Sequence, residues 1–260
     1  FDGGFVGVDV FFVISGYLMT RIISQDLERG IFGFGQFYLS RAKRIVPALL
    51  ALCMTLLGAG WFLLFPADYR ELAKEALAAT LFISNFKFIK DAGYFDVAAH
   101  EKWLLHSWSL SVEWQFYLLL PLMFAGIWHF RRHKQALLVL TMLVALVSFV
   151  WSVGLSDRAP TSAFYTLTSR AWEMLAGALV FLLSDTLRAS ESWAKKAELL
   201  GFVLIIFAIA AFDAHTSWPG AWAAVPVLGA VLVLWAGRQR SIWTALPVAQ
   251  WFGKTSYSLY

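Results

Sequence analysis

Leu105-His106-Ser107-Trp108-Ser109-Leu110-Ser111-Val112-Glu113-Trp114-Gln115-Phe116-Tyr117 runs straight into Leu118-Leu119-Leu120-Pro121. The stretch opens an apolar run long enough to cross a bilayer, yet it carries a histidine, three serines, a glutamate and a glutamine. On a helix, His106, Ser109, Glu113 and Tyr117 are separated by three, four and four residues, which puts them on one face. A carboxylate in lipid costs about 2.5–3.5 kcal/mol on insertion scales, so Glu113 is expected to face a bundle interior or a wet cavity and to serve function there. The plainer reading is that Glu113 pairs with an arginine and only locks two helices together.

Working outward, the whole composition fits a membrane. The chain is 60% hydrophobic and 15% charged, against about 25% charged in an ordinary soluble domain. Its apolar residues come in long runs with charges clustered between them. That pattern predicts an all-α, polytopic transmembrane bundle. The 13 tryptophans suit a chain with many headgroup-level positions. The net charge of +4 comes from basic residues in short loops, where they orient the protein in the bilayer, and does not point to nucleic acid. Cys53 is the sole cysteine, so no intrachain disulfide can form, and a packing role is expected. No zinc-type Cys/His spacing occurs, so no metal is expected.

In chain order, Phe5 to Ile23 reads as the first span. Asp9 near its start suits a helix N-terminus or an active site equally well, and Ser15-Gly16 allows close helix approach. Arg21 to Arg44 reads as a polar cytoplasmic connection rich in arginine and lysine. Arg41 and Arg44 would lie together on a helical turn and could clamp phosphates, although plain positive-inside charge explains them as well. Ile45 to Phe65 returns outward. Residues 72–88 are only moderately apolar. Alternation of basic loops across the membrane makes them one interfacial or re-entrant helix on the outer side. The span at about 106–128 then comes inward, followed by 136–154, roughly 169–183, 197–212 and 221–236, with a last span beginning near Leu246. About eight spans result. Arg170 and Glu173 share a face of the span at 169–183. Arg170 can pair with Glu113, with Asp9, or locally with Glu173. Ser217-Trp218-Pro219-Gly220 reads as a turn.

Several of these stretches together resemble one family. Gly3-Gly4-Phe5-Val6-Gly7-Val8-Asp9-Val10-Phe11-Phe12-Val13-Ile14-Ser15-Gly16-Tyr17-Leu18, the basic Arg41-Ala42-Lys43-Arg44-Ile45-Val46-Pro47, the stretch Leu105–Tyr117, Arg170-Ala171-Trp172-Glu173 and Ser256-Tyr257-Ser258-Leu259-Tyr260 are similar to the motifs of the acyltransferase-3 family of integral membrane O-acyltransferases. The likeness covers essentially all of residues 1–260, as one membrane domain. One departure is visible: Trp114 stands where many members carry a second acid, so Glu113 alone can fill the carboxylate role. The resemblance implies a ten-helix core in the bacterial inner membrane, with no bound cofactor. It also implies transfer of an acyl group, usually acetyl, from cytoplasmic acyl-CoA to a hydroxyl of a cell-envelope polysaccharide such as lipopolysaccharide O-antigen or peptidoglycan. It further implies that the sequence is a fragment lacking the first helix and the C-terminal part. The family's principal histidine lies upstream of Phe1, and some members add a C-terminal esterase-like domain.

Acyl transfer to an alcohol needs a base, donors for the oxyanion and a grip on the donor's phosphates. Glu113 and Asp9 are the candidate catalytic acids, each able to orient a histidine. Arg41 and Arg44 are candidates for the phosphates. His106, Ser109, Tyr117, Arg170 and Glu173 complete the candidate substrate-binding set. Ser111 and Trp108 are also available to a sugar, although a buried serine commonly bonds its own helix. A transporter or flippase would carry similar intramembrane charges. No inverted repeat or broken-helix pair supports that reading.

Overall fold

A computed structural model describes residues 2–92, 102–130, 133–184, 186–187, 190–213, 216–238, 241, 245 and 250–251. After a short 3-10 turn at Asp2–Phe5 come α1 (Val6–Arg29), α2 (Phe34–Leu63), α3 (Pro66–Thr80), α4 (Ser84–Asp91) and α5 (Ser107–Phe130). Then follow α6 (Lys134–Arg158), α7 (Pro160–Tyr165), α8 (Leu167–Leu183), α9 (Glu191–Ala211) and α10 (Ala224–Ala236). No strand occurs among the described residues. The protein is a polytopic helical membrane protein. Among the described residues, four helical segments are long and apolar enough to cross a bilayer by themselves: Gly3–Arg29, Phe34–Leu63, Ser107–Phe130 and Lys134–Arg158. The expected spans near 169–183, 197–212 and 221–236 are helical too, as α8, α9 and α10. The span expected from Leu246 lies outside the described residues.

Two expectations need correction. The stretch Arg21–Arg44 is not a loop. α1 runs on to Arg29 and α2 begins at Phe34, because Arg, Lys, Glu and Gln favour helix as well as apolar residues do. Only Gly30–Gly33 turns the chain, with Gly30 in the left-handed region at φ 70°. Arg41 and Arg44 therefore stand on a helix, ahead of a proline, Pro47, that is itself inside α2. The second correction concerns residues 72–88, which form two helices and not one. α3 and α4 are each shorter than the roughly 20 residues a crossing needs. The break centres on Phe82, at φ 56°. Its ring stacks on Trp114 at 4.5 Å and 13°, and its carbonyl accepts a hydrogen bond from Gln115 Nε2 at 3.1 Å. Asn85 Oδ1 accepts from the same amide at 2.9 Å, and Ser84 Oγ lies 2.8 Å from Ser111 Oγ. Polar partners on α5 thus compensate a conformation that costs a non-glycine residue about 1–2 kcal/mol.

The bundle is tightest where glycines let backbones meet. A Cβ on Gly16 of α1 would fall 1.8 Å from the Met174 carbonyl oxygen of α8. One on Gly177 of α8 would fall 1.8 Å from the Val13 carbonyl oxygen of α1. α9 and α10 meet the same way at Gly201 and Gly229. Small residues of this kind carry helix association in lipid, where apolar burial gives no advantage over lipid tails. α6 packs on the other side of α8, tied by Ser148, whose Oγ donates to the Thr168 carbonyl at 2.7 Å and accepts from Trp172 N at 3.1 Å. α2 packs against α3 and touches α5, which leaves a cleft between α1 and α2 backed by α5. The α1–α2 and α5–α6 ends lie together, joined by a Lys134–Glu28 ion pair at 3.1 Å.

Candidate functional site

Two of the polar clusters in the apolar interior are reached from α1. Asp9 and Ser15 are six residues apart on that helix, about 9 Å along its axis, and each is met by a different partner helix.

The first cluster lies on the cleft. α1 supplies Phe11, Ile14, Ser15, Leu18 and Met19; α2 supplies Arg41, Arg44 and Ile45; α5 supplies Glu113 and Tyr117. The space between them is a small cavity of about 60 Å³ that opens to the exterior. At its base Ser15 Oγ donates to Glu113 Oε1 at 2.6 Å. Tyr117 OH donates to the same oxygen and lies 2.7 Å from Ser15 Oγ. Glu113 and Tyr117 reach one point because residues four apart stack on a helix face. Glu113 Oε2 has no hydrogen-bond partner although it is buried. The positive charges of Arg44 and Arg41 act on this carboxyl across the cleft. Arg41 is half-buried, its Nη1 3.9 Å from Met19 Sδ, and Arg44 is exposed at the mouth. An arginine-lined mouth over an apolar throat, ending at a carboxyl with two hydroxyls, can hold an anionic molecule with an apolar or acyl end and move a proton at its base.

The second cluster joins α1 to α8. Arg170 Nη1 donates to Asp9 Oδ1 at 2.5 Å and to Glu173 Oε1 at 3.0 Å. Its Nε donates to the Phe164 carbonyl at 3.0 Å, and Trp218 Nε1 donates to Asp9 Oδ1 at 3.4 Å. The guanidinium lies over the Phe164 ring at 4.8 Å and the Trp108 ring at 5.4 Å. Asp9, Arg170 and Glu173 are all 1% exposed or less. Arg170 thus takes the Asp9 and the local Glu173 partnerships together, and its charge partners do not include Glu113. The plainer reading, an arginine–carboxylate lock between helices, is realised at Asp9 and not at Glu113.

The remaining candidates separate. Ser109 is buried and donates to the carbonyl of His106 at 3.0 Å. His106 itself is exposed, one residue before α5 begins, and does not join the face that Glu113 and Tyr117 share. Ser111 is taken by Ser84. The Trp108 face proposed for a sugar is covered by Arg170 and by Phe12, edge-on at 6.2 Å. Two contributors stand out less in the sequence than in the structure. By sequence Ser15 reads as a small residue for close packing or as an acyl-serine with no base at convincing spacing, and Trp218 only as part of a turn. The signal for Ser15 was its hydroxyl within a span, beside a glycine.

A family model described as an acyltransferase domain, acyltransferase-3, matches residues 3–260. The chain belongs to the acyltransferase-3 family. Among relatives, it is 27% identical over 276 residues to the peptidoglycan O-acetyltransferase OatA of Listeria monocytogenes. That match covers 99% of this chain and 44% of the relative, so the chain spans less than half of its length. An uncharacterised protein of Haemophilus influenzae is 29% identical over 244 residues, covering 90% of this chain and 100% of that one. No solved structure matches. The family match takes in both polar clusters of this acyltransferase-3 domain, from Asp9 to Glu173.

Proposed function

We propose that this acyltransferase-3 domain is part of an O-acetyltransferase of the bacterial inner membrane. In this reading it takes acetyl from cytoplasmic acetyl-CoA and places it on a hydroxyl of a cell-envelope polysaccharide. Peptidoglycan is the first candidate acceptor, by the name of the Listeria relative; lipopolysaccharide O-antigen is the second. The observation that carries the reading is the cleft, which joins two arginines at its mouth to Glu113, Ser15 and Tyr117 at its base, within a chain of this family.

The residues divide the work as follows. Arg41 and Arg44 grip the donor's phosphates, for which planar guanidinium forks are suited. The throat formed by Ile14, Leu18 and Ile45 receives the apolar end. Glu113, oriented by Ser15 and Tyr117, handles the proton that must pass from the acceptor oxygen to the departing sulfur. Asp9, Arg170 and Glu173 fix α1 on α8 and so fix where Ser15 stands. The basic ends of α1 and α2 face the cytoplasm by the positive-inside rule, which sets the cleft mouth on the side that holds acyl-CoA.

The test is reconstitution of the full-length protein in lipid with labelled acetyl-CoA and peptidoglycan or O-antigen fragments. Transfer of label with stoichiometric release of CoA supports the reading. Movement of a glycan or lipid-linked precursor across the bilayer without CoA release overturns it in favour of a flippase.

A further inference from the structure

Counting hydrogens in the Arg170 cluster leads beyond its role as a lock. Asp9 on α1 and Glu173 on α8 each accept from the same Arg170 nitrogen, Nη1. Because one nitrogen serves both, the two carboxyl groups stand side by side at the guanidinium. Two carboxylates offer only acceptors, so a hydrogen bond between them exists only when one of them carries a proton. Each also keeps an oxygen with no donor, Asp9 Oδ2 and Glu173 Oε2, both fully buried.

Charge leads to the same place. The charged groups that face one another here are Asp9, Arg170 and Glu173. Among the described residues, the other packed segments bring neutral groups: the Trp218 indole N–H, the Phe164 carbonyl and ring, and the Trp108 ring. Two ionised carboxylates on one guanidinium would leave a net negative charge fully out of water, which desolvation opposes. Two carboxyls side by side oppose each other's ionisation, and a single guanidinium balances only one of them.

We propose that Asp9 and Glu173 share one proton, making the Asp9–Arg170–Glu173 cluster an electrically neutral proton-holding site inside the bundle. Such a site can pass a proton without becoming charged: a proton taken up at one carboxyl oxygen is matched by one released from another. The proposal does not rest on the acyl-transfer reading, and its failure would leave that reading standing.

The experiment is difference infrared spectroscopy on the full-length protein in lipid at neutral pH, wild type minus Glu173→Gln and wild type minus Asp9→Asn. In either variant the new amide N–H can take the place of the shared hydrogen, and the remaining acid ionises against Arg170. Both difference spectra are expected to show the carbonyl stretch of a buried protonated carboxyl, shifted in deuterated water, present in wild type and lost in the variant. Absence of that band from both difference spectra overturns the proposal. The two variants replace residues on different helices, so a folding defect in one leaves the other to decide.

Discussion

Ser15 of α1 donates a 2.6 Å hydrogen bond to Glu113 of α5, across 98 residues of chain. With Tyr117 on the same oxygen, the Glu113 carboxyl is held from two helices at once. This relationship gives Glu113 a fixed direction toward the cleft, which pre-organises a proton-handling group. Glu113→Gln keeps the shape and keeps an acceptor for both hydroxyls but cannot take up a proton. Turnover of acetyl-CoA with acceptor is expected to fall by about 10²–10⁴-fold, as for loss of a general acid or base. Protein level and thermal midpoint should hold. Undiminished turnover would take Glu113 out of the chemistry.

Arg41 and Arg44 stand three residues apart on one face of α2 and share the mouth of the cleft. Hydrogen bonds to charged groups are worth about 1.5–3 kcal/mol each. Arg41→Ala with Arg44→Ala should therefore weaken acetyl-CoA binding by at least about tenfold in equilibrium measurements on the reconstituted protein. Lysine at both positions should recover part of the loss, because the charge returns without the planar fork. Unchanged binding in the double alanine variant would reduce both residues to positive-inside determinants.

Much of this was legible in the chain, and the limits of legibility have physical causes. The pairing of Glu113 with Tyr117 follows from helical periodicity, a local rule. Gly16 announces a close crossing because nothing else explains a small residue beside Ser15 in the middle of a span. The partner of Arg170 could not be chosen, since Asp9 lies 161 residues away and only the α1–α8 crossing brings it near. The helical continuation through Arg21 to Arg29 was hidden because charge marks the edge of lipid, not the end of a helix. The break at Phe82 was hidden because a phenylalanine carries no turn signal. Its conformation is set by Trp114 and Gln115 on another helix.

The crossing itself can be tested. Gly177 meets the Val13 carbonyl so closely that a Cβ there would lie at 1.8 Å from backbone oxygen. Backbone cannot rotate away as a flexible side chain can. Gly177→Ala should push α1 from α8 and lower stability by about 1–3 kcal/mol, the usual range for overpacking. Thermal unfolding in detergent measures this. Gly126, whose added Cβ would meet no atom within 4 Å, supplies the control. Gly126→Ala should be neutral or slightly stabilising, since alanine favours helix. Equal effects at the two sites would mean that α1 and α8 do not meet through their glycines.

Arg170 bears on the stability of the whole bundle. Its guanidinium bonds Asp9, Glu173 and the Phe164 carbonyl together, so no other single side chain can replace it. Removing one member of a buried ionic group costs about 3–5 kcal/mol, because the charges left behind have lost their partner. Arg170→Met should therefore be strongly destabilising. Arg170→Lys should lose less, keeping the charge but not the simultaneous reach to Phe164 and both acids. The decisive comparison adds Asp9→Asn and Glu173→Gln to Arg170→Met. The triple variant has no charge to orphan, so it should recover most of the stability that Arg170→Met loses, even though it contains more changes. Chemical or thermal unfolding of the four proteins in one detergent gives the coupling directly. If the triple variant is no more stable than Arg170→Met, the loss comes from the packing of the guanidinium against Trp108 and Phe164, and not from the orphaned carboxyls.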